Sequence, residues 1–402
     1  MTDAVDALCS RHHYPDALRS VLYGVADACR EAYPGLMSLV LSGSATTGDY
    51  VYLADSGAPE GVRLLSDLDL MLFTDQQGAQ PALLAERLQD IKARHPSPLF
   101  DIDIAFSPAS ALDQIPPRFQ MAETRRTGVV IAGRDVIDRF PLEFDHREAV
   151  APFLGNLWKP FLYWTPAGGA FDIEYQQMVA RLFLDVPMLV CGARRECIPG
   201  HRARADSYLA EGSREGLYDE ALRERVRWAI DVRGEPSIER AGLESSVGEF
   251  ARQVIAALDG EPLPQPEADA ALVARLGKLL AKRPLRRLAA ELRCVVRDPR
   301  TPVGDLAWWW GRKEAAAGAA LLGMLAHLGE IDGRADAFDP PQGVRARLAE
   351  YARLPAVERA SDESPLDFLF RCKRIYQAGL LALFPSLEKA DPRQQVFLEP
   401  PG

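Results

Sequence analysis

The alternation of apolar and polar residues changes character about a third of the way along the chain. Before residue 141 short apolar runs alternate with amphipathic stretches; after it, apolar residues recur almost only at helical spacing. Residues 4–33 read as amphipathic helix, broken near His13-Tyr14-Pro15. Met37–Ser42 is a short apolar strand that ends at Gly43-Ser44. Tyr50–Leu53 and Val62–Leu65 flank a stretch rich in turn formers, Ala54–Gly61, and predict a hairpin. Asp67–Phe73 and Phe100–Phe106 predict strands on either side of a helix over Pro81–Arg94. Pro108–Arg126 reads as helix, and Val129–Ile131 as a last short strand before Gly133. The expectation is a mixed α/β (α+β) domain over residues 1–145, its β-sheet flanked by helices.

Helical periodicity follows over 173–192, 217–231, 247–258, 269–283, 285–297, 304–329, 343–354 and 366–384, without convincing strands. This predicts an all-helical region over 146–388, with a sub-boundary at 258–268 in the Pro-rich Leu258–Pro266 and a loose polar tail over 389–402. Internal repeats and low-complexity blocks are absent.

Composition narrows the class. At 402 residues, 48% hydrophobic and 26% charged, the chain has material for two or three globular domains. It lacks an apolar run near the roughly 20 residues that span a bilayer, and its start has neither basic flank nor apolar signal core. A cytoplasmic protein with no membrane association is the expectation. Six cysteines without C-x-x-C spacing fit buried thiols in a reducing compartment. Six scattered histidines make zinc an unlikely requirement.

The net charge of −10 is concentrated in residues 1–150, where 13 Lys+Arg face 22 Asp+Glu, a balance of −9. Such a surface disfavours long nucleic acid as a partner. The stretch 275–300 runs the other way: nine Lys+Arg against Glu291 and Asp298. A basic helix surface complementing the acidic domain is the simpler account, and an anionic partner such as RNA the alternative.

Within the acidic half, some carboxylates are patterned. Asp67 and Asp69 alternate on one predicted strand and so share a face, while Leu68 and Leu70 point to the core. Asp103 follows on a second strand between Ile102 and Ile104. Adjacent strands lie about 4.8 Å apart, so three carboxylates can converge. Like charges gathered this way gain most from divalent cations that bind phosphate oxygens. Asp101, on the same strand face as Asp103, is the alternative third ligand. Gly43-Ser44, at a strand-to-helix turn, is suited to let backbone N–H groups approach a phosphate. The segment Gly43–Gly48 has no Gly-Lys-Ser/Thr and is not a P-loop.

The ordered set Gly43-Ser44, Asp67-Leu-Asp69, Ile102-Asp103-Ile104 and the closing stretch Glu123–Gly133 resembles the DNA polymerase β-like nucleotidyltransferases, in particular the small-molecule and minimal types. The resemblance covers roughly residues 35–140. In layout, with a helical region following, the chain is similar to aminoglycoside nucleotidyltransferases. One departure is the 23 positions from Ser44 to Asp67, lengthened by the hairpin.

The resemblance implies a transferase using two Mg²⁺ ions and a nucleoside triphosphate, ATP being the expected donor. It would move AMP to a hydroxyl of a small molecule or glycan and release pyrophosphate. It further implies Asp67, Asp69 and Asp103 as metal ligands, Asp103 also assisting deprotonation of the acceptor, and Gly43 and Ser44 as triphosphate contacts. The alternatives are protein AMPylation or tRNA-end nucleotidyl transfer and, from another class, a non-catalytic nucleotide-binding or regulatory module. The oligomeric state is open. Outside this set, Asp49 reads as a turn residue, Glu123, Arg125 and Arg126 as a solvated helix face, and His146 as structural. Trp308–Trp310 reads as interdomain packing rather than a stacking site; Trp158, Phe161, Tyr163 and Trp164 are candidates to line an interdomain cleft.

Overall fold

The computed structural model describes residues 2–75, 78–144, 153, 156, 160, 172–213, 216–236, 250, 253 and 254. The helices read over 269–384, most of the one over 247–258, the Pro-rich linker, Trp308–Trp310, the aromatic cluster at 158–164, His146, the basic stretch and the tail lie outside these residues.

The first half is a mixed four-stranded sheet with helices. The order of elements is α1 (Thr2–His12), α2 (Asp16–Ala32), β1 (Leu36–Ser42), α3 (Ser44–Thr47), β2 (Tyr52–Ala54), β3 (Val62–Leu64), β4 (Leu68–Thr74), α4 (Pro81–Ala93), β5 (Ile102–Pro108), α5 (Phe119–Thr127) and β6 (Val129–Gly133). The sheet runs β5-β4-β1-β6. β1 is antiparallel to β4 and β6, and β4 is parallel to β5. A parallel pair requires a crossover, and α4 supplies it. β2 and β3 form the expected hairpin as a separate two-stranded sheet.

The two-residue period of the strands sorts the core. Leu39, Leu41, Leu68, Leu70, Leu72 and Ile102 face one side and pack with Leu18, Leu22 and Val25 of α2 and Leu84 and Ile91 of α4. Val40, Met71 and Phe73 face the other, against Leu112, Val136 and Phe140. α2 is held by a stripe at i, i+3 and i+4 spacing: Leu18, Val21, Leu22, Val25, Ala26 and Cys29 are all buried.

From 173 to 234 the chain is helical: α6 (Asp172–Phe183), α7 (Asp185–Arg194), α8 (His201–Ala210) and α9 (Glu220–Gly234). By packing, the chain divides into two compact units. The first comprises Met1–Val150, Phe183–Gly212 and Arg223–Ile238, so that α7, α8 and most of α9 belong with the sheet. The second comprises Ala151–Leu182, Ser213–Leu222 and Glu239–Gly402. In it, Tyr175 of α6 is fully buried, and the rings of Phe153 and Phe250 meet edge-on at 6.4 Å. Among the described residues no helix is long and apolar enough to cross a membrane.

Three local expectations are corrected. Asp67 does not begin β4 but immediately precedes it. The helix expected over 108–126 is a 3-10 segment (Ala109–Gln114) and then α5, because Ile115 is extended before Pro116-Pro117, which cannot continue a helix. The helix expected over 173–192 is split, since in a continuous helix Pro187 would owe an N–H to Phe183. α8 lies within the expected all-helical region but outside the segments of helical periodicity; it has only a weak apolar stripe and buries Arg204, Ala205 and Tyr208.

Candidate functional site

The patterned acids meet at one end of the sheet, where β1 finishes and β4 and β5 begin. In the parallel pair Asp69 stands directly opposite Asp103, and across the antiparallel pair Asp69 stands opposite Ser42. Asp69 shares the strand face of Met71 and Phe73 but lies beyond the end of their apolar cluster. Asp67 and Asp69 are half-buried and Asp103 is exposed.

Gly43 follows Ser42 with φ +71° and ψ −151°. A Cβ built on it would run into Oδ2 of Asp69. Its backbone conformation favours glycine here, and a Cβ would displace the Asp69 carboxylate. α3 starts at once. The Gly43 carbonyl accepts the Thr46 N–H at 3.1 Å and the Thr46 hydroxyl at 2.9 Å. The Ser44 carbonyl accepts the Asp49 N–H at 3.1 Å and the Tyr14 hydroxyl at 3.3 Å. The Gly43-Ser44 turn is thus fixed from both ends.

Asp67 is positioned by the residue before it. The buried Tyr50 hydroxyl donates to the Ser66 carbonyl at 2.8 Å, and the Val51 N–H donates to the Ser66 hydroxyl at 3.1 Å. Burial, and then the charge of Asp67, push the Tyr50 phenol well above its ordinary range, so it remains a donor.

The two candidates for third ligand differ in surroundings. Asp101 is ion-paired with Lys92, and its Oδ1 accepts the Ile102 N–H at 2.7 Å. Asp103 is the one in register with Asp69. The donor set Asp67, Asp69 and Asp103 is all oxygen, which suits a hard cation such as Mg²⁺ in kind. As the side chains stand, no group of three His, Cys, Asp or Glu among the described residues is placed to hold a metal ion.

Two acids outside this set have structural partners far along the chain. Asp49 is more than a turn residue: it caps α8. Its carboxylate accepts the His201 N–H at 2.5 Å, the Arg202 N–H at 3.3 Å and the Thr47 hydroxyl at 3.0 Å, and its carbonyl accepts from Arg233 at 3.0 Å. Glu123 is not on a solvated face. It is 8% exposed, and its Oε1 accepts the Gly200 N–H at 2.8 Å and Arg204 Nη1 at 2.7 Å. The Arg204 guanidinium lies 5.3 Å from the centre of the Phe119 ring. Phe119 also packs with Met188 and Cys191 of α7. The single clue in the sequence was that Asp49 and Glu123 border the motif elements at 43–48 and 123–133; their partners lie 152 and 77 residues away.

No protein-family model matches the chain, and no curated protein or solved structure matches it significantly. The functional reading therefore rests on the residues themselves.

Proposed function

We propose that this protein is a Mg²⁺-dependent nucleotidyltransferase of the DNA polymerase β-like kind, which moves AMP from ATP to a hydroxyl of a small molecule or glycan. The observation that carries the reading is the placement of Asp69: in register with Asp103 on one side, and against the Cα of Gly43 on the other. A carboxylate pair beside a glycine turn that opens a short helix brings cation ligands and phosphate-facing backbone to one end of the sheet.

In this reading Asp67, Asp69 and Asp103 hold the metal. When bound, it supplies charge neutralisation of the phosphates and acidifies the acceptor hydroxyl. Gly43 and Ser44 offer backbone N–H groups to the triphosphate. Asp103, the exposed member of the pair, accepts the proton from the acceptor. Tyr50, protonated and bonded to Ser66, keeps Asp67 in place at the head of β4. Asp49 secures the far end of the α3 turn and so holds the phosphate-facing backbone in position.

The test is thermal unfolding of the full chain with ATP, GTP, CTP and UTP, with and without Mg²⁺, alongside Asp69→Asn. The reading expects Mg²⁺-dependent stabilisation by one nucleotide, ATP, that is lost in the variant. A wild-type protein whose melting temperature moves with none of the four would defeat it and favour a module without turnover.

A further inference from the structure

A second feature of the first compact unit lies apart from the acidic end of the sheet. It is a cavity of about 660 Å³, bounded by α1, the last two residues of α3, and the junction of α5 with the edge strand β6. The size falls within the range of small-molecule pockets. Its wall carries Arg11 and His12 from the last turn of α1, Arg126 from the last turn of α5, Thr47, and Asp135.

The charges on this wall are unbalanced. Four arginines of this acidic half reach carboxylates: Arg19 with Asp6 and Asp16, Arg30 with Asp27, Arg87 with Glu31, Arg139 with Asp113. Arg11 and Arg126 have no acidic partner among the described residues, and they line the same cavity. The acid on the wall, Asp135, uses Oδ1 to accept the Ile137 N–H at 3.0 Å. Nη1 of Arg126 donates to the Ala122 carbonyl at 3.1 Å and the Leu142 carbonyl at 3.4 Å, which orients the guanidinium. Nε2 of His12 is buried without a hydrogen-bond partner among the described residues. Thr47 is already engaged, its hydroxyl donating to Asp49 and the Ser44 carbonyl. Val129, Val130 and Ile137 add an apolar side.

Two guanidiniums from different helices, one oriented by carbonyls, and an apolar wall form a recognition surface for one kind of molecule. We propose that this cavity binds a small organic anion, its phosphate or carboxylate group held by Arg11 and Arg126 and its body lying against Val129 and Val130. Planar guanidinium forks match both kinds of anionic group. The inference is separate from the nucleotidyl-transfer reading, since it uses none of the acidic residues. α3 nevertheless links the two places: Ser44 opens it at the acidic end of the sheet, and Thr46 and Thr47 close it on the cavity wall.

The experiment is calorimetric titration of the full chain with inorganic pyrophosphate and, separately, with citrate. Both are run at fixed ionic strength, without nucleotide, on protein stripped of metal with EDTA and then exchanged into metal-free buffer. Metal-free carboxylates repel anions, so binding here does not report on the acidic site. The expected result is saturable binding of at least one probe. Arg11→Ala, an exposed change, weakens it roughly tenfold or more, the value of one charged hydrogen bond. Arg126→Lys weakens it too, because the fork is lost while the charge stays; Arg19→Ala leaves it unchanged. Binding of pyrophosphate alone identifies a phosphate ligand, and binding of citrate alone a carboxylate ligand. Absence of saturable binding of either probe at millimolar concentration, or binding indifferent to both Arg11→Ala and Arg126→Lys, overturns the proposal.

Discussion

Asp69 and Asp103 occupy partner positions on neighbouring parallel strands, so two carboxylates face the same side of the sheet one strand apart. Like charges directly opposite one another destabilise a sheet. Without Mg²⁺, Asp103→Asn is therefore expected to raise the melting temperature slightly. With Mg²⁺ and the right acceptor, the same change is expected to slow transfer by about 10²–10⁴-fold, the range for loss of a general base. Thermal unfolding in EDTA and a pyrophosphate-release assay measure the two effects, and a variant less stable than wild type in EDTA would contradict the first.

Gly43→Ala brings a methyl group against the Asp69 carboxylate at a backbone φ of +71°. Strain of this kind costs about 1–3 kcal/mol. Denaturant unfolding is expected to show that loss, together with weaker Mg²⁺-dependent nucleotide binding. A variant of wild-type stability would mean that the turn does not need its glycine.

Glu123 and Arg204 form an ion pair with side chains only 11% and 4% exposed. Glu123→Ala leaves a buried guanidinium without its carboxylate and is expected to cost about 3–5 kcal/mol. A double-mutant cycle with Arg204→Met is expected to recover much of that loss, because both buried charges are then gone. Additive losses in urea unfolding would show that the two residues act independently.

Burial lowers the pKa of both His12 and His95 below the ordinary 6.5. For His12 the neighbouring Arg11 adds to the shift. In the window below 6.5 the unfolded chain then binds more protons than the folded one, so stability rises with pH through that window and is lost as pH falls. The melting temperature is expected to be higher at about pH 7 than at about pH 5. His95→Gln is expected to flatten the dependence; an unchanged slope would remove His95 as a contributor.

The Cys29 thiol is pushed up to about 12 by burial, from an ordinary 9.0. It is expected to resist thiol reagents at about pH 8 in the folded protein and to react once the chain is unfolded. Here the folded pKa is the higher one, so this group's contribution to stability is full below 9.0 and is lost as pH rises toward 12. Labelling followed by mass analysis of the Cys29 peptide checks it.

What the sequence made legible was whatever depends on neighbours a few residues apart. The alternation Asp67-Leu68-Asp69-Leu70 located β4 and its two faces, and the stripe Leu18-Val21-Leu22-Val25 located α2. The roles of Glu123 and α8 were hidden for a common reason. Glu123 lies on a short helix with little apolar patterning, and what buries it is Arg204, 81 residues later. α8 in turn is started by no residue of its own: Gly200 sits at its N-cap with φ +83°, and the capping carboxylate belongs to Asp49. A local pattern carries no trace of a cap supplied from another part of the chain.

The Asp49 cap also sets an order of events during synthesis. The carboxylate leaves the ribosome 152 residues before the His201 N–H that it accepts. At roughly 5–20 residues per second that interval is on the order of ten seconds or more. The sheet can pair its strands in this time, but the α3 turn must wait for α8 and α9 before its far end is secured. A nascent chain truncated ahead of His201 would therefore carry the acidic strands with that end of the turn unanchored, and the loop-closure entropy of joining them falls due only late in translation.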